Sequence, residues 1–525
     1  MSKMMSPAYI IFAMLISSTI NAICWADSAP PTIDTIVIDN RNIFSADSLA
    51  YNHWFFKLAN RLHIKTRKYV ISREILQNTG EPFSRELADE TERNLRALPY
   101  LWDARVDYDP DENNNGIMKV TTSDRWTLAG GPSFSRVAGQ NIIELRAEES
   151  NLLGLGQYVL FDYFHRQTEA DYFQLSYLER RLLGTRNQFS ISANSDPEIG
   201  QLDFTLQKPL YSLNSRFGYS FSYSKVKRRD DYYSTREKIA ENRIGGEVYE
   251  IGSIFRWGES HSKVLTGLTY QYRHFNFSDF RGSGVIFPVD SAYNCIFAQF
   301  GLQNIQYAKT SRIDNFRKIE DISLLTGGSL TSGWYFDNSS RKLYQSISFS
   351  FNYSLYRNKS FLFLALNRKY WYDGSIDFRK QSLVSIKYYN NRVTWMTPIM
   401  YAIYQEDLRK DRLSSLRLGE NSGVRGYPKN YVSGEKLFRV TEELRFFPGI
   451  RILSVDIGAV QFVDLGQSIR HGESFSKDDF LWSIGGGIRI GTGKISNHDI
   501  IRMDLAYAAK LKQWGVSLAA GQYFN

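Results

Sequence analysis

Ile501-Arg502-Met503-Asp504-Leu505-Ala506-Tyr507 alternates without a break. In an extended chain successive side chains point to opposite faces, so Ile501, Met503, Leu505 and Tyr507 share one face and Arg502, Asp504 and Ala506 the other. The stretch 452–466 repeats the pattern, with Leu453, Val455, Ile457, Ala459 and Val463 opposite Ser454, Asp456, Gly458, Asp464 and Gly466. Further on, 515–524 sets Val516, Leu518, Ala520 and Phe524 on its apolar face. An apolar face opposite a charged one, strand after strand, suits a barrel with lipid outside and water inside.

Composition agrees with that reading. Tyr 33, Phe 34 and Trp 10 make 15% of the 525 residues, while mean hydropathy is negative. Strands take aromatics on pleated faces, and outer-membrane barrels concentrate them in interfacial girdles. The net charge of +9 is spread along the chain among acidic residues, without a basic arm or recognition helix, which argues against nucleic acid as a partner. Contacts with anionic lipid headgroups suit the same balance. Beyond the N-terminus there is no apolar run long enough for a transmembrane helix.

At the start, Lys3, the apolar run 8–23 and Cys24-Trp25-Ala26 read as a secretory signal peptide cut after Ala26. The mature chain then keeps Cys295 alone and has no intramolecular disulfide. Residues 27–124 read as a small α+β unit. A strand at 33–38 leads into a basic and aromatic connector at 40–69, and Ser72 is placed to cap a short helix through Gln77. A second helix over 84–98 puts Leu87, Thr91, Leu95 and Leu98 on one stripe, with Glu86 in its first turn. Pro99 ends it. Strands at 104–108 and 116–122 follow.

From 125 to 525 the chain reads as a mainly β domain, an antiparallel barrel of about 16 strands separated by Gly, Asn, Asp and Ser turns. The charged stretch 225–242 is expected to be a solvated loop. Ser422-Gly423-Val424-Arg425-Gly426-Tyr427-Pro428 interrupts the alternation: its glycines weaken strand preference and Pro428 donates no amide, so it reads as a loop tip. Gly485-Gly486-Gly487-Ile488-Arg489-Ile490-Gly491-Thr492-Gly493-Lys494 superficially suggests a phosphate loop, but Ile488 stands where the first glycine belongs and Ile495 follows the lysine. It reads as a strand and turn. No paired-histidine spacing, nucleophile elbow or cysteine-nucleophile context stands out, so no catalytic, metal-ligating or cofactor-binding residues are called and no enzyme is expected.

Several of these motifs, in order, resemble the superfamily of BamA/TamA-like assembly factors and two-partner-secretion transporters, whose barrels are of the bacterial surface-antigen type. Ser150-Asn151-Leu152-Leu153-Gly154-Leu155-Gly156 is similar to its early-barrel motif, and Val424, Arg425, Gly426 and Tyr427 to its signature loop, which in the family folds into the lumen. Thr441-Glu442-Glu443-Leu444-Arg445-Phe446 resembles the strand after that loop, and Phe462-Val463-Asp464-Leu465-Gly466 a later strand whose aspartate faces the loop arginine. About five strands are implied after the loop. The run 85–108 resembles a polypeptide-transport-associated (POTRA) domain, and Tyr523 and Phe524 resemble the aromatic C-terminal barrel signal, with Asn525 one residue beyond the usual end.

The resemblance implies an outer-membrane barrel, with Val424 to Tyr427 as a lumen latch and a periplasmic N-terminal domain. A guanidinium inside a barrel is costly unless paired, so Arg425 is expected to meet Asp464, with Glu443 as a second partner. The implied partners are an unfolded or precursor polypeptide client, outer-membrane lipid and a periplasmic or lipoprotein partner at the POTRA-like domain. Inserting barrels at a seam between 125–134 and 515–524, and secreting a client through the lumen, both fit. So does a structural or passive channel that moves no protein.

Overall fold

The computed structural model of the chain describes residues 31–44, 51–111, 115–137, 140–167, 170–234, 237–259, 261–282, 290–372, 377–409, 416–495 and 500–523. The expected leader and its cut after Ala26 lie outside the described residues, as do Phe524 and Asn525.

The N-terminal unit begins with β1 (Thr32–Arg41). It continues through α1 (Trp54–Leu62), α2 (Lys68–Ser72), α3 (Arg85–Arg96), β2 (Leu101–Pro110) and β3 (Asn115–Asp124). β3 lies in the middle, parallel to β1 and antiparallel to β2. Ser84 caps α3, its Oγ accepting from Leu87 N at 3.3 Å. The stripe expected on α3 is the face that packs: Thr91, Leu95 and Leu98 are buried beside Ile33, Leu101, Val106, Met118 and Val120.

Two local expectations shift. The connector contains α1, and the short helix runs into Ser72 instead of out of it, the Ser72 Oγ donating back to Tyr69 O at 2.9 Å. Serine hydroxyls bond nearby carbonyls as well as capping amides, so the residue marks a helix end without giving its direction.

Among the described residues, twenty-one strand segments, from Leu128–Val137 to Gln513–Ala520, form one large antiparallel sheet in chain order. This exceeds the expected count of about 16. The stretch 225–242 adds no strand but lengthens two, as the far end of the paired hairpin of Phe217–Ser234 and Glu237–Trp257, where a loop was expected. Charge there serves the ladder: Lys225 Nζ meets Glu247 Oε1 at 2.8 Å, and Arg229 and Arg243 meet Glu198 at 3.0 and 3.2 Å. Polarity reports solvent, and cross-strand ion pairs let a strand carry it.

The alternation is clearest in Leu343–Arg357, where Ile347, Phe349, Phe351 and Leu355 are exposed while Ser348, Ser350, Asn352 and Ser354 are half-buried on the opposite face. In Ile500–Ala508, Ile501, Met503 and Leu505 point outward and Asp504 and Ala506 inward. The run 452–466 is interrupted, because Arg451–Ile452 pairs with Val455 and Asp456 across a tight reversal in which Leu453 has φ 58. Its alternation starts at Val455. Among the described residues no helix is long and apolar enough to cross a membrane.

Ion pairs fasten the N-terminal unit to one end of the sheet. Arg96 grips Asp321 with two hydrogen bonds, at 2.7 and 2.8 Å, and Lys309 Nζ reaches Glu92 Oε2 at 2.6 Å. Arg181 bonds both carboxylate oxygens of Glu74.

Candidate functional site

At the end of the sheet away from the N-terminal unit, the chain between Met396–Arg409 and Lys436–Phe446 turns inward. A stem of two short strands, Leu416–Leu418 and Val432–Gly434, holds the loop together. Gly423 and Gly426 take φ 116 and 84, left-handed values that side-chain-bearing residues adopt at a cost. The carboxylate of Glu420 accepts from Gly426 N at 2.6 Å and fixes the second turn. Val424 is buried with Leu418 beside Gly466. Tyr427 is buried too, its hydroxyl donating to Trp482 O at 3.1 Å and accepting from Lys510 N at 3.2 Å.

The strand register places the partners of Arg425. Glu443 lies opposite Phe462, and Thr441 opposite Asp464, on the strands Lys436–Phe446 and Val455–Ile469. Alternation turns Thr441, Glu443, Phe462 and Asp464 to the same inward face, so the two carboxylates are diagonal neighbours. The guanidinium enters between them. Arg425 Nε and Nη2 donate to Asp464 Oδ2 and Oδ1 at 2.8 and 2.9 Å, and Nη1 donates to Glu443 Oε1 at 2.7 Å. The backbone N–H of Arg425 adds a bond to Asp464 Oδ2 at 3.1 Å.

Two rings complete the enclosure. The guanidinium carbon lies 3.3 Å from the centroid of Phe462 and 4.1 Å from that of Tyr523, and the Tyr523 hydroxyl donates to Glu420 O at 2.9 Å. Arg425, Glu443 and Asp464 are fully buried. Burial of such charges is tolerable because they satisfy one another, and a cation against aromatic faces gains further attraction.

The cluster continues beyond the loop. Arg445 Nε donates to Glu443 Oε2 at 2.9 Å, and Asp504 accepts from Arg489 Nη1 at 2.5 Å and Arg502 Nη1 at 3.0 Å. Arg445 Nη1 also donates to Ile313 O at 2.5 Å and lies 3.4 Å from Asp314 Oδ1. These two residues belong to the turn at the opposite end of the sheet, so the two ends are linked through Glu443 and Arg445. Each carboxylate of the cluster accepts from at least one guanidinium, while Arg445 Nη2 and Arg502 Nε find no hydrogen-bond acceptor.

Val424, Arg425, Gly426, Tyr427, Glu443, Asp464 and Tyr523 are thus gathered in one place, while Phe524 lies outside the described residues. Sequence reasoning did not anticipate the ring of Phe462 or of Tyr523 against the guanidinium, nor Glu420 beneath Gly426. The inward position of Asp504 was readable from its alternation; its distance of 3.6 Å from Arg425 required the fold.

No family model matches the sequence, and no curated protein does. Among solved structures, CdiB from Acinetobacter baumannii is similar over 94% of this chain and 74% of its own, at 12% identity and a TM-score of 0.40. CdiB from Escherichia coli is similar over 96% of this chain and 92% of its own, at 11% identity and a TM-score of 0.40. BamA from Haemophilus ducreyi, in a form lacking POTRA domains 1-3, is similar over 94% and 83%, at 11% identity and a TM-score of 0.35. Matches this distant leave the functional reading to the side chains.

Proposed function

We propose that the chain is a non-enzymatic outer-membrane β-barrel that assembles or translocates polypeptides, with Val424 to Tyr427 as its inner latch. The observation that carries this reading is the enclosed Arg425, held by Asp464 and Glu443 on the inward face of a sheet whose other face is apolar. Lipid on both faces would leave these charges stranded, and water on both would leave the apolar face uncovered. The strand order sets Leu128–Val137 after Gln513–Ala520, which supports closure into a barrel with a seam there. Residues 27–124 act as a POTRA-like periplasmic domain that receives an unfolded or precursor client or docks a lipoprotein.

A disulfide engineered between Leu128–Val137 and Gln513–Ala520 tests the mechanism. Loss of client insertion, restored by reductant, supports assembly at the seam. Undiminished secretion of a client through the tied barrel supports translocation through the lumen. A protein that conducts ions in planar bilayers with no response to any client, tied or free, is a passive channel, and that result would sink the proposal.

A further inference from the structure

α1 is held in one orientation and leaves an apolar stripe uncovered. At about 100° per residue, Phe56, Ala59 and Asn60 share the face that packs on Ile43, Phe44 and Tyr51. Asn60 fixes the helix: its Oδ1 accepts from Phe44 N at 3.1 Å and its Nδ2 donates to Phe44 O at 2.8 Å. On the far side Trp54, Leu58 and Leu62 form a second stripe, respectively 74%, 44% and 63% exposed, and Ile64 extends it. Lys57 and Arg61 flank that stripe and are exposed.

Position and charge identify what covers it. Arg67 N donates to Gly154 O at 3.0 Å, Asn151 Nδ2 to Thr66 Oγ1 at 2.9 Å, and Arg451 Nη2 to the Tyr51 hydroxyl at 2.6 Å. These bonds set the helix at the rim of the sheet. A cleft of about 150 Å³ brings Leu62 and Ile64 beside Leu128 and Leu153, which are themselves exposed, so the helical stripe runs on into the outer apolar face. From Tyr51 to Arg73 the chain carries Lys57, Arg61, Lys65, Arg67, Lys68 and Arg73 and no acidic residue. An apolar stripe bordered by cations, level with a lipid-facing surface, matches an anionic bilayer interface: the stripe enters the acyl boundary while the cations meet phosphate.

We infer that α1 is an interfacial anchor, lying in the headgroup region of an anionic phospholipid leaflet on the side of the N-terminal unit. The inference rests on the proposed membrane placement of the sheet. It makes the N-terminal unit a membrane-apposed body.

Trp54 provides the test. The full chain is reconstituted into vesicles of brominated phosphatidylcholine, with and without phosphatidylglycerol, and emission is compared between the wild type and Trp54→Phe. The difference spectrum belongs to Trp54. In vesicles containing phosphatidylglycerol it should lose at least about half its intensity to the brominated chains and be shielded from aqueous acrylamide. Lys57→Ser with Arg61→Ser should abolish the dependence on phosphatidylglycerol. Trp514, 62% exposed on the outer face of the last strand, reports the sheet separately through Trp514→Phe. If Trp514 is quenched while Trp54 is open to acrylamide and insensitive to bromine, the anchor is refuted and the membrane placement stands. Quenching of neither residue overturns both. Shielding of Trp54 by a co-purifying protein, with no lipid response, also refutes the anchor.

Discussion

Arg425 decides more than its own contacts. Removing it leaves Asp464 and Glu443 buried without their shared cation, and breaking a buried pair in this way costs about 3–5 kcal/mol. Arg425→Ala should therefore lower the denaturant midpoint of the folded protein sharply. Arg425→Lys should recover only part, since an ammonium cannot span two carboxylates with a planar fork. Replacing the bidentate pair together, as Arg425→Met with Asp464→Asn, should be better tolerated than Arg425→Ala alone, because Asp464 is no longer a lone charge and Glu443 keeps Arg445. Equal midpoints for wild type and Arg425→Ala would show that the enclosure carries no stability. Gly426→Ala adds a separate strain, placing a side chain at φ 84 and against Ala506; a loss of about 1–3 kcal/mol is expected on the same measurement. Alternation puts Asp464 on the face of Asp456 and Glu443 on that of Thr441; that both meet Arg425 was implied by the family resemblance. The stacking of Tyr523 was not. It joins residues about a hundred positions apart through closure of the fold, and no local period encodes that.

Among the elements, α3 does two jobs. Its inner stripe packs the N-terminal unit, while Glu92 and Arg96 reach the sheet. Burial pushes the Glu92 carboxyl up, but hydrogen bonds from Lys309, Val106 and Arg96 outweigh it and hold the group below the ordinary glutamate range. A carboxylate whose pKa is depressed by folding stabilises above the unfolded value and loses that contribution as pH falls through the folded one. Docking should thus be complete at neutral pH and weaken below about pH 4, seen as faster hydrogen exchange across Arg85–Arg96. Asp103, which burial pushes up, acts in the opposite sense, so comparison with Glu92→Gln isolates the effect. A wild-type response unchanged by Glu92→Gln would assign the acid sensitivity elsewhere. α3 also closes the outer edge of β2, where Glu92 accepts from Val106 N at 2.8 Å and Arg85 and Arg96 donate to Val106 O and Ala104 O at 3.0 and 2.7 Å. Strand addition by a client is therefore expected at β1. Photo-crosslinkers at Thr35 or Asp39 should capture client, and those at Arg105 or Asp107 should not; the reverse pattern would contradict the edge assignment. Strand type was readable throughout, whereas the hairpin over 225–242 was hidden because its charges resemble those of a loop until their cross-strand partners are known.

For the molecule as a whole, length is informative. Glu237–Trp257 and Ser262–Gly282 each run 21 residues, about twice the 9–11 that a tilted strand needs to cross a bilayer. In the proposed barrel their far ends would stand clear of lipid, with the ion pairs of Lys225, Arg229 and Arg243 on a ribbon in water. In the proposed barrel, charge substitutions there should leave stability within about 0.5 kcal/mol, whereas an outward charge such as Leu505→Arg should cost about 2–4 kcal/mol near the bilayer middle. Indistinguishable effects would argue against lipid at Leu505.

The turn between Ser291–Thr310 and Glu320–Asp337 bears on how such a molecule could work. Its flanks, Lys309 and Asp321, grip α3, and between them Ile313 and Asp314 hold Arg445, which holds Glu443 and so Arg425. These contacts form an unbroken lever from the N-terminal unit to the inner loop, with the turn as its fulcrum. In the proposed translocator, a client pulling at β1 would load this chain of contacts and so strain the ion pairs of Arg425. Under the proposed function, that coupling would let events at the N-terminal unit bias the loop at the far end of the sheet.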